Sequence, residues 1–196
     1  MPLKKKISNH TQFYLDNAKE VLILISSENI NNLVKHLYLL KKRKGRLFLL
    51  GVGGSGANCS HAVNDFRKIC NIEAYTPVDN VSELTARVND DGWETTFIEF
   101  LKTSKLNKKD IVMVFSVGGG DIKNSISLNI VSALKYAKKI GAKIVGIVGK
   151  DGGYTKLVAD DIVIIPTKVK SLQTAFTESF QELIWHAIVT HPLLGK

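Results

Sequence analysis

RLFLLGVGGSGANCSHAVNDFRK, residues 46–68, joins a short apolar run to a glycine-rich turn and then to a segment with helical patterning. The apolar run reads as a strand buried on both faces. Glycines between a strand and a helix permit a tight turn and bring backbone N–H groups to the positive end of the helix.

The same texture recurs outward along the chain. DIVMVFS (110–116), KIVGIVG (143–149) and DIVIIP (161–166) are further short apolar runs rich in Val and Ile, and NIEAYTP (71–77) is a weaker fifth. Helices are predicted between them, near 56–69, 92–101, 123–140, 153–159 and 171–190. Strands alternating with helices predict an α/β fold, a parallel sheet of five strands with helices on both faces. Ahead of it, Phe13, Val21, Leu22, Leu24, Ile25, Leu33, Leu37, Leu39 and Leu40 recur at helical spacing. They predict two helices divided near SSENINN, with Ser27 as cap of the second. A chain of 196 residues with 44% hydrophobic content can bury one core. A single domain over 1–196 is expected, with a helical extension (1–44) and an α/β core (45–196).

The formal charge is +9, concentrated at Lys4 to Lys6, Lys41 to Arg46 and Lys135 to Lys143. These clusters fall where helices should end, where cations complement the dipole. No aromatic residues interleave with them and no helix-turn-helix signal is present, so an anionic small ligand is expected rather than nucleic acid. Lys and Arg interrupt every apolar run, so no membrane span is expected, and the first residues lack a secretory pattern. Cys59 and Cys70 form no CxxC pair, which fits a reducing, cytoplasmic setting.

Two strands run into glycine, RLFLL into GVGGSG and IVMVFS into VGGGD. In open parallel sheets ligands bind at this carboxyl edge. Three readings of the first loop stand side by side. Gly51, Gly53 and Gly56, with Glu73 about twenty residues on, match the dinucleotide pattern. Alternatively the amides and the Ser55 hydroxyl cradle a phosphate, or the glycines serve only the turn. No Walker lysine follows. Beyond the loop, His61 and Asp65 share one helix face at i and i+4, aimed at the ligand of the loop. Glu178 and His186 lie eight residues apart on the last helix, with Gln181 and Glu182 between them. If that helix packs across the sheet edge, two histidines and two carboxylates converge. Such a set suits zinc or another divalent metal, or proton transfer.

Taken in order, these residues resemble the sugar isomerase (SIS) domain family and, within it, the phosphoheptose isomerases. The likeness rests on GVGGS at Gly51 to Ser55 with His61 and Asp65, on NDDGWE at Asn89 to Glu94, and on the glycine turn after Ser116. GKDGG at Gly149 to Gly153 and the last helix with Glu178 and His186 complete it. The resemblance implies a flavodoxin-like three-layer sandwich, a homotetramer with active sites between subunits, and aldose–ketose isomerisation of a small sugar phosphate. The expected reaction links sedoheptulose 7-phosphate and D-glycero-heptose 7-phosphate. It implies Asp65 and His186 as the proton-transfer pair, and zinc or another divalent metal on His61, Asp65, Glu178 and His186. Substrate contacts are implied for Gly53, Gly54, Ser55, Asn89, Asp90, Ser116, Gly118, Gly119 and Asp121.

The chain departs from the family at several of these positions. Gly118 and Asp121 replace hydroxyl donors, and a carboxylate at a helix N-terminus would repel a phosphate. Asp65 is one C–C bond shorter than the family's Glu, Asn58 stands where relatives often have Asp, and Glu178 replaces Gln. An enzyme for a different or unphosphorylated sugar, or a non-catalytic sugar-phosphate-binding module, are the rival readings.

Overall fold

The computed structural model describes residues 3–195. Helices α1 (Leu3–Leu24) and α2 (Ser27–Lys42) lead into β1 (Leu47–Leu50), α3 (Gly54–Lys68) and β2 (Ala74–Tyr75). Then come α4 (Val81–Asp91), a 3-10 turn (Trp93–Thr95), α5 (Thr96–Thr103), β3 (Ile111–Ser116) and α6 (Leu128–Ile140). β4 (Lys143–Val148), α7 (Gly153–Val158), β5 (Asp161–Ile164) and α8 (Gln173–Val189) follow. The side chains of Lys4 to Lys6, one of the basic clusters, lie outside the described residues.

All strand pairs are parallel, in the order β2-β1-β3-β4-β5. That is the flavodoxin-like order, with its switch point between β1 and β3. Both glycine loops therefore flank the crevice where such sheets bind ligands. Alternation along the strands divides the core in two. Leu47, Leu49, Ile111, Met113, Phe115, Val145 and Ile147 meet α2, α3 and α8 on one face. Phe48, Leu50, Val112, Val114, Ile144 and Val148 meet α5 and α6 on the other. The helical extension joins the first of these layers through Val21, Leu33, Val34, Leu37 and Leu40, all buried.

Local details correct the sequence-based expectations. The cap of α2 is Ser26, whose hydroxyl accepts from the Asn29 amide at 3.2 Å, and Ser27 is already helical. The segment expected as one helix over 92–101 is the 3-10 turn plus α5. α4 precedes it and was not expected: its Val81, Leu84 and Val88 recur at helical spacing, but none is buried, and Leu84 packs on the core while still partly exposed. The helix expected over 123–140 starts at Leu128, because Asp121 and Ile126 pair across a tight loop. The strand expected over 71–77 narrows to the two residues of β2. The basic clusters do close helices: Lys41 and Lys42 end α2, and Lys138 and Lys139 end α6.

Candidate active site

Helices α3 and α8 lie side by side and run in the same direction, as their contacts show. Asn58 Nδ2 donates to the Glu178 carbonyl (2.8 Å) and to Gln181 Oε1 (3.1 Å), and the buried Gln181 donates on to the Ile147 carbonyl of β4. Further along, His61 Nδ1 lies 3.7 Å from Glu182 Oε1 and His186 Nε2 lies 3.7 Å from Asp65 Oδ2. Near the ends, Cys70 Sγ contacts the Val189 carbonyl at 3.5 Å. Partners climb together along both helices, so one register fixes the whole seam.

That register assembles His61, Asp65 and His186, with a donor atom from each within 4.8 Å of the other two. Asp65 is the most shielded, its side chain 13% exposed against 42% for His186. Its Oδ1 accepts from Asn64 Nδ2 at 2.8 Å, which leaves Oδ2 turned to His186. The buried Trp185 indole lies against the His186 ring at 3.6 Å between centroids, tilted by 36°, and meets His61 edge-on at 4.7 Å. The donor set suits a zinc-like ion in type: ligands at 2.0–2.2 Å from a tetrahedral zinc stand about 3.4 Å apart, against 3.7 Å between Asp65 and His186 and a spread of up to 4.8 Å across the trio. Two imidazoles and one carboxylate are also a ligand set of catalytic zinc, which keeps a fourth position for substrate.

Glu178 stands apart from this trio. Its carboxylate covers Gly54, occupying the space that a Cβ there would fill. The side chain next to His61 is instead Glu182, one turn further along α8. The cluster also does not adjoin the glycine loop, because His61 is seven residues into α3, about 10 Å along its axis at 1.5 Å per residue. At the loop itself Gly53 caps α3 with φ +60°, and the Ser55 hydroxyl is buried with no partner among the described residues. Glu73 sits at the opposite edge of the sheet, where its carbonyl accepts from the amide of Leu47, the first residue of β1. A ribose held at the glycine loop is out of its reach, and the dinucleotide reading loses its acid.

The second loop is built from backbone. Ser116 Oγ accepts from the Gly119 amide at 3.0 Å, and the Gly119 carbonyl takes both the Thr155 amide (2.9 Å) and hydroxyl (2.7 Å). Gly119 has φ +70°, and a Cβ on it would overlap the Gly152 carbonyl. Asp121 is not at a helix N-terminus. Its carboxylate accepts from Asn124 through side chain (2.6 Å) and amide (3.1 Å), bonds that lower its pKa. A cleft of about 630 Å³ opens beside this loop, bordered by Gly118, Asp121, Lys123, Lys150 and Tyr154 among others. Asn89 and Asp90 lie on the exposed last turn of α4, where they bond to each other at 2.7 Å. The described chain does not bring them to the trio.

The family model described as the SIS domain matches residues 13–149. The chain belongs to the SIS domain family. A phosphoheptose isomerase of Nitratiruptor sp. is 31% identical over 75% of this chain and 75% of its own length. The lincomycin biosynthesis protein LmbN of Streptomyces lincolnensis is 29% identical over 74% of this chain; the aligned part is 54% of LmbN, so the chain spans about half of it. In structure the chain is similar to phosphoheptose isomerase GmhA of Neisseria gonorrhoeae, with a TM-score of 0.80 over 96% and 97% of the two chains at 20% identity.

The SIS match ends one residue after β4, before the helix that carries Glu178, Glu182 and His186. Within this SIS chain the sequence reading missed Trp185, and it named Glu182, Asn58 and Gln181 without a role: Glu182 stands beside His61, and Asn58 pairs with Gln181. The i, i+4 steps from Glu178 to Glu182 to His186 were the available signal, but choosing among them needs the α3/α8 register.

Proposed function

We propose that the protein is an aldose–ketose isomerase for a sugar phosphate, interconverting sedoheptulose 7-phosphate and D-glycero-heptose 7-phosphate in the cytoplasm. One observation carries this reading: in an SIS chain related to phosphoheptose isomerases, Asp65 and His186 stand 3.7 Å apart although α3 and α8 are remote in sequence. Isomerisation moves one proton from C1 of the ketose to C2 and needs a second group to serve the two oxygens. Asp65 takes the carbon-bound proton and returns it to the neighbouring carbon. His186 donates to O2 and withdraws the proton from O1, so the enediol forms and collapses with no net proton change. Trp185 holds the imidazole face and Asn64 the carboxylate. A divalent metal held by His61, Asp65 and His186 would supply charge stabilisation to the sugar oxygens in place of the His186 proton.

The distance of about 10 Å from the first glycine loop to His61 suits an extended sugar chain, held by its phosphate at the strand edge with its reacting carbons at the trio. Gly53, Gly54, Ser55, Ser116, Gly118 and Gly119 would bind the phosphate end, and Asn89 and Asp90 would reach the site of a neighbouring subunit. A homotetramer is supported by the apolar side chains that α1 leaves exposed, among them Phe13, Leu15, Leu22 and Ile23. Among the described residues no helix is long and apolar enough to cross a membrane.

The test is conversion of sedoheptulose 7-phosphate to the aldose by purified protein, followed by NMR, with sedimentation to count subunits. No conversion with zinc, manganese or no added metal would overturn the reading. A second reading, an SIS enzyme for another sugar, is favoured by the second loop, where Gly118 and Asp121 offer no hydroxyl and Asp121 is engaged by Asn124.

A further inference from the structure

We propose that Lys150 is the anion-binding group of the cleft beside the second glycine loop, supplying the charge for a phosphate monoester where Gly118 and Asp121 supply no hydroxyl. The inference rests on the sugar-phosphate reading for its ligand, though its geometry stands independently. The Lys150 side chain folds over Gly118: a Cβ on that glycine would lie 3.8 Å from Lys150 Nζ and 3.9 Å from its Cδ. The lysine thus lies in van der Waals reach of position 118, along the β3 loop.

The backbone holds the lysine there. Lys150 is the second residue of a turn in which the Gly152 amide bonds the Gly149 carbonyl at 3.1 Å, and the Gly149 amide bonds the Ser116 carbonyl at 3.0 Å. The β4 loop is therefore tied to the β3 loop. Lys150 itself has φ +48°, a left-handed conformation that a lysine adopts at a cost and that the glycines around it would adopt freely.

The charges around the cleft agree. Its wall carries Lys123, Lys150 and Lys156 against Asp121 and Asp151. Both acids are engaged: Asp121 accepts from Asn124, and Asp151 Oδ1 accepts from the Gly153 amide at 3.1 Å. Among the described residues Lys150 forms no ion pair, so its ammonium faces the cleft with its donors available.

Binding of inorganic phosphate, measured by titration calorimetry at constant ionic strength, tests the assignment without depending on turnover. Lys150→Gly removes the ammonium and suits a φ of +48°, so the loop survives; Lys150→Arg keeps the charge; Lys139→Met, on the exposed last turn of α6, controls for the general field. The expected result is that Lys150→Gly weakens phosphate by about tenfold or more, with Lys150→Arg and Lys139→Met close to wild type. Equal affinity in Lys150→Gly, equal weakening in Lys139→Met, or no phosphate binding by the wild type each overturns it. Sedoheptulose 7-phosphate turnover is followed in parallel on the wild type. Turnover with phosphate binding indifferent to Lys150 sinks the subsite alone, and Lys150-dependent binding without turnover sinks the isomerase reading alone.

Discussion

His186 Nε2 lies 3.7 Å from Asp65 Oδ2, across two parallel helices whose register is set elsewhere, by Asn58 and the buried Gln181. Chemistry and support are therefore separable by mutation.

Removing either member of the pair should abolish proton transfer and leave the fold. Asp65→Asn and His186→Gln are each expected to lower turnover by about 10²–10⁴-fold, with unchanged circular dichroism and melting temperature. Full activity in both variants would refute the roles given to them.

Metal content offers a second check. Protein purified without chelator should carry about one zinc-like ion per chain on three ligands, and His61→Ala should lose most of it on dialysis. Glu178→Gln should retain it, since that carboxylate covers Gly54 rather than joining the trio. Metal loss in Glu178→Gln but not in His61→Ala would reverse the ligand assignment.

Two glycines should respond in opposite ways. Gly119→Ala meets the Gly152 backbone carbonyl and carries φ +70°; the left-handed conformation alone costs about 1–2 kcal/mol, and the overlap adds to it. At Gly54 the obstacle is the end of the Glu178 side chain, which can swing away, so Gly54→Ala should change the urea midpoint little. Similar midpoints for both variants would contradict the loop geometry.

Asp110 anchors the opposite edge of the sheet. Its buried carboxylate accepts from Arg46 Nη2 (2.7 Å), Arg46 N (3.0 Å) and Asn107 N (3.0 Å). Asp110→Ala should destabilise by about 3 kcal/mol, the lower end for a broken buried pair, because the Arg46 side chain is 22% exposed and reaches water. Chemical denaturation reads this directly.

Burial raises the Cys70 thiol from the ordinary 9.0 to about 11. The unfolded chain therefore releases this proton first, and the stability linked to it is complete below pH 9.0 and lost as pH rises through about 11. Stability should fall less steeply over that interval in Cys70→Ala than in wild type, and a matching slope would show the thiol to be uninvolved.

Much of the architecture was legible because β1, β3 and β4 are buried on both faces and say so in their composition. α4 was passed over although Val81, Leu84 and Val88 recur at helical spacing: three apolar residues among exposed polar ones make a faint stripe, and none of them is buried. At the candidate site, the pairing of His61 with Asp65 follows from local spacing. Whether Glu178 or Glu182 accompanies them depends on a helix–helix register, a long-range packing outcome with no local sign. Asp121 was misplaced for a similar reason: its bond to Asn124 and the Asp121–Ile126 bridge postpone α6, and neither leaves a periodic trace.

The interlocking of the two glycine loops has a practical consequence for redesign. Gly119 and Gly153 press against backbone, and Gly152 carries φ +87°, so the three tolerate little variety, whereas 118 and 123 present side-chain positions to the cleft. A library confined to those two positions would explore new substrates on an unmoved chassis, and one that included the three glycines would mostly sample broken loops.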